Sequence, residues 1–442
     1  MARKKQYQDL YVYMNGISVG KLIRESTGQL IFTYDHEWLN WNNSRPISLS
    51  MPLTEIPYKG YVVDCYFDNL LPDSELIRER IQTRFNAPSK KCFDLLSFIG
   101  GDCVGALQLL TQPTTSNIKK IQASPIDNQT IAKLLKHYQT APLGMSSEFD
   151  FRISIAGAQE KTALLWHHNK WYLPKGVTPT SHIIKLPIGN IKHSGIDLSD
   201  SVENEWLCLQ ILSGFNLPIN QAQITQFDDV KTLVVERFDR RWSDNGRWLM
   251  RLPQEDLCQA LSIPPGLKYE SDGGPGIQNI MSILQGSQEA SNDRKKFIKS
   301  VFLFWVLGAI DGHAKNFSLK IESQGRYQLS PLYDVISAYP LAAKKQIAWQ
   351  ELKMAMSLKG KNRHYLWNTI QLRHWFAMAE RCQFPTIMMQ EVINEVCDMM
   401  ESVISQVTQA LPLHFPTHIS DPIFSGMRQI RNRCTNQIIT GK

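Results

Sequence analysis

The sequence lacks the features that mark secreted, membrane-spanning and zinc-binding proteins. Its 8 cysteines include no Cys-x-x-Cys pair and lie near no histidine pattern, which argues against a zinc site or a disulfide framework. The longest apolar run, residues 301–310, is well short of the ~20 residues that a membrane helix needs. The N-terminal Met1-Ala-Arg-Lys-Lys-Gln has no apolar core behind it like that of a signal peptide. These absences predict a soluble enzyme of a reducing cytoplasm, with no membrane partner.

A large excess of one charge is also missing. The formal net charge is +7 over 442 residues, which permits association with nucleic acid without demanding it. Hydrophobic residues make up 43% of the chain, and 11 of its residues are tryptophan, so sizeable cores can form. A chain of this length exceeds a single typical domain and predicts two or three units.

Polarity and turn residues predict a four-part organisation. Before about residue 110, strand-like segments at 10–14, 30–34 and 62–67 alternate with a helix at 73–84. A breaker-rich linker then leads to a β-rich part and a mainly helical part. The predicted parts are a mixed α/β module (1–110), a linker and helix (111–149), a β-rich nucleotide-binding lobe (150–252) and a helical catalytic lobe (253–442).

The most informative stretch is 302–334, which places three proton-accepting or metal-capable side chains at the ends of one predicted hairpin. An apolar helical run stops at Asp311, and the motif Asp311-Gly-His-Ala-Lys-Asn316 follows. Two β-prone segments, 317–321 and 326–329, are joined by a Gly-containing turn. Because an antiparallel hairpin returns to where it began, Asn316 and Asp334 should lie side by side, with Asp311 facing the same space.

This spacing indicates phosphoryl transfer. Mg²⁺ takes oxygen ligands, and one or two side chains plus nucleotide phosphates suffice. Asp-x-x-x-x-Asn is the spacing of the protein-kinase catalytic loop, where the Asp accepts a proton, the Asn binds metal and a later Asp holds the other metal contact. The sequence departs from the protein-kinase motifs at two places. Ala309-Ile310 stands where a kinase has His-Arg, and Tyr333-Asp334-Val335 stands where it has Asp-Phe-Gly. Taken singly, each acid is more commonly a cap or turn residue, so the prediction depends on all three.

Upstream residues fit the same chemistry. Between Ser154 and Lys161, a small-residue turn could present N–H groups to phosphate, although it is neither a Walker A loop nor a Gly-x-Gly-x-x-Gly loop. The β-prone His182-Ile-Ile-Lys185 carries a lysine of the kind that reaches the α/β-phosphates in a kinase. A helix beginning near Ser201 offers Glu205 as the partner of Lys185, with a solvated helix face as the alternative.

Further along, Thr232-Leu-Val-Val-Glu236-Arg-Phe-Asp239 reads as a buried strand ending where a kinase hinge would meet adenine. Asn245-Gly246 predicts a type I′ hairpin turn. The long pattern at 386–411 predicts an amphipathic helix. Its methionines are expected in the core, with a groove for a partner as the alternative. The residues on its apolar side are Met388, Val392, Val396, Met399, Val403 and Val407.

Together these motifs resemble the HipA family of bacterial serine/threonine-protein kinase toxins, which belong to type II toxin–antitoxin systems. The resemblance covers nearly the whole chain. Its motifs are Phe67-Asp-Asn-Leu-Leu-Pro-Asp-Ser74, Gly101-Asp-Cys-Val-Gly105, Ser154-Ile-Ala-Gly-Ala-Gln-Glu-Lys-Thr162, His182-Ile-Ile-Lys185, Val235-Glu-Arg-Phe-Asp-Arg240, Pro253-Gln-Glu-Asp256, Ser271-Asp-Gly-Gly-Pro-Gly276, Asp311-Gly-His-Ala-Lys-Asn-Phe317 and Tyr333-Asp334.

The resemblance implies an α+β, two-lobed protein-kinase-like fold with an additional N-terminal α/β module, using ATP and Mg²⁺. Asp311 would be the catalytic base, and Asn316 and Asp334 the metal ligands. Ser154 would be an autophosphorylation site whose modification ejects the phosphate-binding loop and inactivates the kinase. The implied ATP-binding residues are Ala156, Gly157, Ala158, Gln159, Glu160, Lys161, Lys185, Glu236, Phe238, His313, Asn316, Tyr333 and Asp334.

The resemblance also implies partners. They are a helix-turn-helix antitoxin of the HipB type and glutamyl-tRNA synthetase as substrate, although related branches act on other synthetases. Glu380-Arg-Cys-Gln383 before Phe384-Pro385 is no clear basic patch, so operator DNA is expected to be bound mainly through the antitoxin. The expected location is the bacterial cytoplasm, with nucleoid association in the antitoxin complex. The alternative hypothesis is a nucleotide-responsive co-repressor, a binding module without catalysis; a lipid or small-molecule kinase is a weaker third.

Overall fold

The structure is a computed structural model that describes residues 9–114, 118–140, 159, 161–191 and 195–440. Helices and strands are mixed along the chain, which divides into two units. The first unit comprises Met1–Leu186, Thr225–Gly266 and Leu319–Arg326, and the second comprises Pro187–Ile224, Leu267–Ser318 and Tyr327–Lys442. The predicted α+β class is confirmed, whereas the four-part division stays a prediction.

An antiparallel sheet of five strands forms the N-terminal part of the first unit. Burial alternates over the first part of the strand Asp9–Met14, where Leu10 and Val12 are buried and Tyr11 is partly exposed, and the strand ends with Tyr13 and Met14 both buried. The predicted strands at 10–14 and 30–34 are therefore confirmed. In spatial order the strands are Tyr58–Lys59, Leu30–Tyr34, Ile17–Arg24, Asp9–Met14 and Leu107–Leu110.

Four helices accompany this sheet: His36–Leu39, Tyr61–Asp68, Glu75–Phe85 and Cys92–Ile99. The third confirms the helix predicted at 73–84, and it is capped by Ser74, whose hydroxyl accepts a hydrogen bond from the N–H of Ile77.

The strand predicted at 62–67 is wrong, because this segment lies in the helix Tyr61–Asp68. Its Val-Val and Tyr-Phe pairs have high β-propensity, which misled the prediction. The helix instead buries Val63, Tyr66 and Phe67, which share one face because they are spaced by three and four residues. Burial of that face decides the local conformation.

A six-stranded sheet follows in the first unit, and only the start of its edge strand Ala222–Phe227 is assigned to the second unit. The helix Asn128–Thr140 packs on this sheet through Ile131 and Leu135, which join a core cluster with Leu164 and Ile184. In spatial order the strands are Ala222–Phe227, Val230–Glu236, His182–Lys185, Lys161–His167, Lys170–Pro174 and Ala123–Ile126.

A hairpin follows, in which Arg240–Trp242 pairs with Leu249–Arg251. The predicted hairpin is confirmed, but its predicted type I′ turn is wrong. The N–H of Gly246 bonds to the Ser243 carbonyl over 2.7 Å, so Asp244 and Asn245 are the central residues of the turn. Neither has a positive φ, as a type I′ turn requires, whereas Gly246 lies just outside with φ +64°. The strand Gln254–Asp256 and the short helix Leu257–Ala260 continue the unit.

The second unit is mainly helical. Thr386–Gln409 confirms the predicted amphipathic helix, and the valines predicted for its apolar side are buried: Val392, Val396, Val403 and Val407. The predicted Met388 and Met399 are only partly buried, whereas their neighbours Met389 and Met400 are fully buried. Short strands are Gly189–Ile191, Ile196–Leu198, Tyr327–Leu329, Lys353–Lys359 and Arg363–Leu366, while Ser318–Ile321 runs from the second unit into the first. The helices are Ser201–Gly214, Ile277–Ile283, Ala290–Leu307, Tyr339–Ala343, Leu372–Arg381, Thr386–Gln409 and Thr417–Thr440.

Within the ranges that the structure describes, no helix combines the length and apolar character needed to cross a membrane.

Candidate functional site

The site in the second unit begins where a buried helix ends. Ala290–Leu307 terminates at Gly308, whose φ of +60° is a left-handed conformation that favours glycine. The N–H of Ala309 closes the end by bonding to the carbonyl of Phe304 over 2.8 Å. The helix therefore ends at Leu307, three residues before the predicted end. Its buried side chains anchor the chain that leads to Asp311.

Asp311 itself is exposed at the start of a tight loop, residues 311–317. The N–H of His313 bonds to the Asp311 carbonyl over 2.8 Å, and the N–H of Asn316 bonds to the His313 carbonyl over 2.9 Å. Gly312 has no room for a side chain, because a Cβ there would lie 2.4 Å from the ring of Phe304. From His313 onward the loop is buried. The Asp311 carboxylate thus lies at the surface of a firmly held turn.

A tyrosine that sequence reasoning missed contacts this aspartate. The Tyr269 hydroxyl donates a hydrogen bond to Asp311 Oδ1 over 2.5 Å. The Tyr269 ring also meets the His313 ring edge-on, with centroids 4.9 Å apart at 85°. Tyr269 lies 42 residues before Asp311, so no local spacing rule connects the two. Its place just before the Ser271–Gly276 motif is the one sequence signal that could have drawn attention to it.

Asn316 and Asp334 are in contact, as the hairpin geometry predicts. Asn316 Nδ2 donates to the Asp334 backbone carbonyl over 2.9 Å. The return of the chain is fixed nearby, where the N–H of Ser330 bonds to the carbonyl of Ser318 over 2.8 Å. The Tyr333 hydroxyl donates to the Lys315 carbonyl over 2.9 Å. These bonds bring the 333–334 dipeptide against the end of the Asp311 loop.

Two details of this pair suit a hard cation. Asn316 Oδ1 is buried and has no hydrogen-bond partner among the described residues, so an acceptor oxygen remains for another ligand. Asp334 has φ +60°, an uncommon conformation for a non-glycine residue that is concentrated at functional sites. No group of three histidine, cysteine or acid side chains suited to a metal occurs in the described part of the chain. A cation here would take its other ligands from phosphate and water.

The first unit carries the lysine of the predicted nucleotide site. Lys185 ends the strand His182–Lys185 and is 6% exposed. The register places it opposite Lys161 on one neighbouring strand and Leu233 on the other. Burial lowers the pKa of His182, three residues earlier, to about 4, so that imidazole is neutral near pH 7. The strand thus ends in a buried lysine, and the contact of Lys185 with the nucleotide phosphates stays a prediction.

Other predicted nucleotide contacts lie around the same sheet. Glu236 is exposed at the end of the strand Val230–Glu236, and Phe238 just beyond it is partly exposed. Gln159 Nε2 donates to the Leu186 carbonyl over 2.5 Å. Ser154, Ala156, Gly157, Ala158 and Glu160 lie outside the described residues.

Glu205 lies in the helix Ser201–Gly214 of the second unit and is 2% exposed. The alternative of a solvated helix face is therefore wrong for this residue, since an exposed face would leave its carboxylate in water. Lys185 belongs to the first unit, and the pairing of these two residues stays a prediction.

Comparison with known proteins identifies the family. A family model described as the HipA-like C-terminal domain matches residues 153–404, and one described as the HipA N-terminal domain matches residues 10–110. The chain is 32% identical to "Putative kinase Y4mE" of Sinorhizobium fredii over 338 residues. The matched residues cover 75% of this chain and 78% of the relative. It is 25% identical over 341 residues to "Serine/threonine-protein kinase toxin HipA" of Shewanella oneidensis, 74% of this chain and 75% of that protein.

A solved structure supports the same fold. It contains HipA and HipB of Shewanella oneidensis MR-1 in complex with their operator DNA, and it matches 95% of this chain and 97% of its own chain with a TM-score of 0.77. At 20% identity this likeness concerns the fold. The family matches and the identity to Y4mE show that the chain belongs to the HipA family of kinases.

Proposed function

We propose that this chain is an ATP- and Mg²⁺-dependent serine/threonine protein kinase and the toxin of a toxin–antitoxin pair. The observation that carries the proposal is the exposed Asp311 on a held loop, with the contacting pair Asn316 and Asp334 at the end of the same loop. A helix cap or a turn needs one polar residue. It does not need an acid, an amide whose oxygen has no hydrogen-bond partner among the described residues, and a second acid in a left-handed conformation.

In the proposed reaction, Asp311 is the general base. The O–H bond of a substrate serine or threonine breaks, its proton passes to the Asp311 carboxylate, and its oxygen forms a bond to the γ-phosphorus of ATP. The bond between the γ-phosphorus and the bridging oxygen breaks, and ADP leaves with that electron pair. Little covalent chemistry falls to the protein, so positioning and electrostatic stabilisation supply most of the catalysis.

Asn316 Oδ1 and the Asp334 carboxylate are the proposed Mg²⁺ ligands. When bound, the cation would neutralise charge on the phosphate oxygens. The hydrogen bond from Asn316 Nδ2 to the Asp334 carbonyl orients the amide so that its oxygen, and not its nitrogen, is available for a cation. His313 and Tyr333, which neighbour these ligands, are proposed to contact the nucleotide or to brace the loop.

The residues of the first unit are proposed to bind ATP. Lys185 would contact the phosphates, since a cation on a strand can reach the α/β-phosphates. Glu236 and Phe238 would meet the adenine. The 156–161 segment would form the phosphate-binding loop, with Gln159 and Lys161 as its described members.

Ser154 is proposed as the site of self-inactivation. A phosphoserine adds about −1.5 to −2 charge next to a loop that must itself hold phosphate. A loop that carries this charge binds ATP phosphates less well. Mass spectrometry of protein incubated with ATP tests the assignment: Ser154→Ala should lose the phosphate at this position, and phosphate found solely at other positions would overturn it.

The proposed partners are a helix-turn-helix antitoxin of the HipB type and an aminoacyl-tRNA synthetase, most specifically glutamyl-tRNA synthetase. Support for the antitoxin comes from the fold likeness to a HipA that was solved with HipB and operator DNA. Operator DNA would be bound mainly through the antitoxin, so the protein would be cytoplasmic and nucleoid-associated in that complex. Phosphorylation of the synthetase would halt translation and growth.

The test is transfer of labelled phosphate from ATP with Mg²⁺, with and without glutamyl-tRNA synthetase and its tRNA. Wild type should label the synthetase, and Asp311→Gln should abolish transfer while retaining the fold. Asp398→Gln is the matched control, because Asp398 is exposed on the helix Thr386–Gln409 and should leave transfer unchanged.

Each result has a distinct meaning. Label on this chain alone would keep the kinase and reject the synthetase. Equal transfer by wild type and Asp311→Gln would remove Asp311 from the base role. No label from protein shown to lack phosphate at Ser154 would favour the alternative, a nucleotide-responsive co-repressor.

A further inference from the structure

We propose that Tyr269 is a positioning residue for phosphoryl transfer: its hydroxyl holds the Asp311 carboxylate in the orientation that receives the proton of the substrate hydroxyl. This inference rests on the proposed kinase function, and it adds a residue to which neither the family motifs nor local spacing assigned a role.

The contact itself is short and directed. Tyr269 Oη lies 2.5 Å from Asp311 Oδ1, with the phenol as donor and the carboxylate as acceptor. Hydrogen bonds to ionised groups are stronger than those between neutral groups. Asp311 is exposed, and an exposed aspartate samples several rotamers unless a partner holds it. Tyr269 supplies such a partner.

The Tyr269 backbone is bound to its surroundings independently of its hydroxyl. Its carbonyl accepts bonds from the N–H of Gly274 over 2.9 Å and of Asp272 over 3.1 Å. The carbonyl of Lys268 accepts a bond from the N–H of Ala314, which belongs to the Asp311 loop. The segment that carries the tyrosine is therefore attached to the loop that carries the base.

The next residue anchors the segment to buried structure. Glu270 accepts bonds from the N–H of Ser357 over 2.6 Å and from its hydroxyl over 3.0 Å, and Ser357 is fully buried. Gly276 packs so closely on this carboxylate that a Cβ would lie 2.5 Å from it. Because these contacts fix the main chain, removal of the Tyr269 hydroxyl should leave the ring against His313 in place.

In the proposed step, the two oxygens of the Asp311 carboxylate have different roles. Oδ1 accepts the phenol hydrogen bond, and Oδ2 is assigned to the proton that leaves the substrate hydroxyl. Tyr269 keeps its own proton throughout, while the substrate oxygen bonds to the γ-phosphorus and ADP departs. Tyr269 thus acts through Asp311 and contacts no reacting atom.

The test compares Tyr269→Phe with wild type in steady-state phosphate transfer, measured as kcat and KM for ATP over a range of pH. Loss of one hydrogen bond to a charged group should lower kcat roughly 10-fold or more and leave KM for ATP nearly unchanged. Because the bond stabilises the ionised carboxylate, the acid limb of the kcat profile should move to higher pH. A residue with a purely structural role would not shift that limb.

Tyr327→Phe is the matched control. Its hydroxyl donates to the Ile283 carbonyl over 2.6 Å in the same unit, so the variant also loses one tyrosine hydrogen bond. It should reproduce the wild-type pH profile. Thermal unfolding of both variants shows whether the losses in stability are comparable.

The outcomes separate the two proposals. A pH limb that moves in Tyr269→Phe and stays in Tyr327→Phe supports the positioning role. Transfer by wild type with no change of kcat or pH limb in Tyr269→Phe overturns that role and leaves the kinase standing. Absence of transfer by unphosphorylated wild type overturns the kinase and the positioning role with it.

Discussion

Asn316 Nδ2 donates a hydrogen bond to the backbone carbonyl of Asp334 over 2.9 Å, and this bond fixes which end of the amide points to the carbonyl. The other end, Oδ1, is buried and lacks a hydrogen-bond partner within the described ranges. A buried acceptor without a partner costs free energy, which a cation could recover. The hydrogen bond that holds Asn316 against Asp334 therefore also sets the orientation of Oδ1, the proposed metal ligand.

Asn316→Ala should weaken ATP binding in the presence of Mg²⁺, because it removes Oδ1, the oxygen proposed to bind the cation. The expected loss is roughly 10-fold or more in affinity. Titration calorimetry with Mg²⁺ and with EDTA measures it, and the loss should vanish in EDTA. Asn394→Ala, at an exposed helical position, is the control and should bind ATP as wild type does. Equal weakening with and without Mg²⁺ would contradict the ligand role.

Asp334→Asn should also weaken metal-dependent ATP binding, since it replaces a charged ligand by a neutral one. The backbone carbonyl that Asn316 contacts remains, and Asn tolerates the left-handed conformation well, so the loop should keep its form. Calorimetry with Mg²⁺ should show lower affinity, and circular dichroism should match wild type. Unchanged affinity with Mg²⁺ would remove Asp334 from the metal site.

The contact between Asn316 and Asp334 was predictable because it depends on local rules. A hairpin joins Asn316 to Asp334 over 18 residues, and helix and turn signals lie within that span. The Tyr269 contact was not predictable, since it joins residues 42 apart through no repeating element. The strand predicted at 62–67 was wrong for a different reason: the burial of one helical face in the tertiary structure outweighed the β-propensity of these residues.

The motif Val235-Glu-Arg-Phe-Asp-Arg240 shows how one segment can serve two purposes. Glu236 and Phe238, predicted to meet adenine, are exposed or partly exposed, whereas Arg237, Asp239 and Arg240 are buried. The sequence predicted the strand, but it did not predict what the buried charges contact. Asp102 accepts hydrogen bonds from both arginines, and it lies 135 residues before Arg237, within another motif of the family resemblance.

Asp102 is the centre of a buried ionic cluster in the first unit. Its carboxylate contacts Arg240 at 2.8 Å, Arg251 at 3.2 Å and Arg237 at 3.3 Å. Burial alone would raise the pKa of Asp102, but the three guanidinium groups hold that pKa below its ordinary value. The Thr180 hydroxyl donates a further bond over 2.6 Å. The cluster links the N-terminal module to the following sheet within this unit.

Asp102→Asn should destabilise the protein strongly, because it leaves buried guanidinium groups with less compensating charge. Breaking a buried ion pair costs about 3–5 kcal/mol. Urea denaturation measures the change in the free energy of unfolding. Thr180→Val keeps the charges but removes a hydroxyl that donates to Asp102 and accepts from Arg237 over 2.9 Å, so it should cost less, about 1–3 kcal/mol. If both variants lost the same small amount, the cluster would not stabilise the unit through its charges.

Gly308→Ala should destabilise the end of the helix before Asp311. A left-handed conformation costs a non-glycine residue about 1–2 kcal/mol. The added Cβ would also lie 3.1 Å from the Tyr339 ring. Gly246→Ala is a control with a similar φ of +64° and open space around it, so it carries the backbone cost alone. Chemical denaturation should show the larger loss for Gly308→Ala, and equal losses would mean that the ring moves aside freely.

Glu255 should make stability depend on pH. Burial raises the pKa of this carboxyl from its ordinary 4.5 to about 8, although the Ser48 hydroxyl and the N–H of Leu49 donate to it. Between pH 4.5 and about 8 the folded state therefore holds more protons than the unfolded state. The resulting stabilisation is complete below pH 4.5 and is lost as pH rises through about 8.

Glu255→Gln should remove this loss, because a neutral amide can still accept from Leu49 and pair with Ser48. The free energy of unfolding, measured by urea at a series of pH values, should fall less between pH 5 and pH 8 in the variant than in wild type, a window set by the pKa of about 8. Glu351→Gln, at an exposed position, controls for the general effect of removing a negative charge and should keep the wild-type slope. A variant as pH-sensitive as wild type would show that Glu255 stays ionised in the folded state, because the bonds from Ser48 and Leu49 would then outweigh its burial.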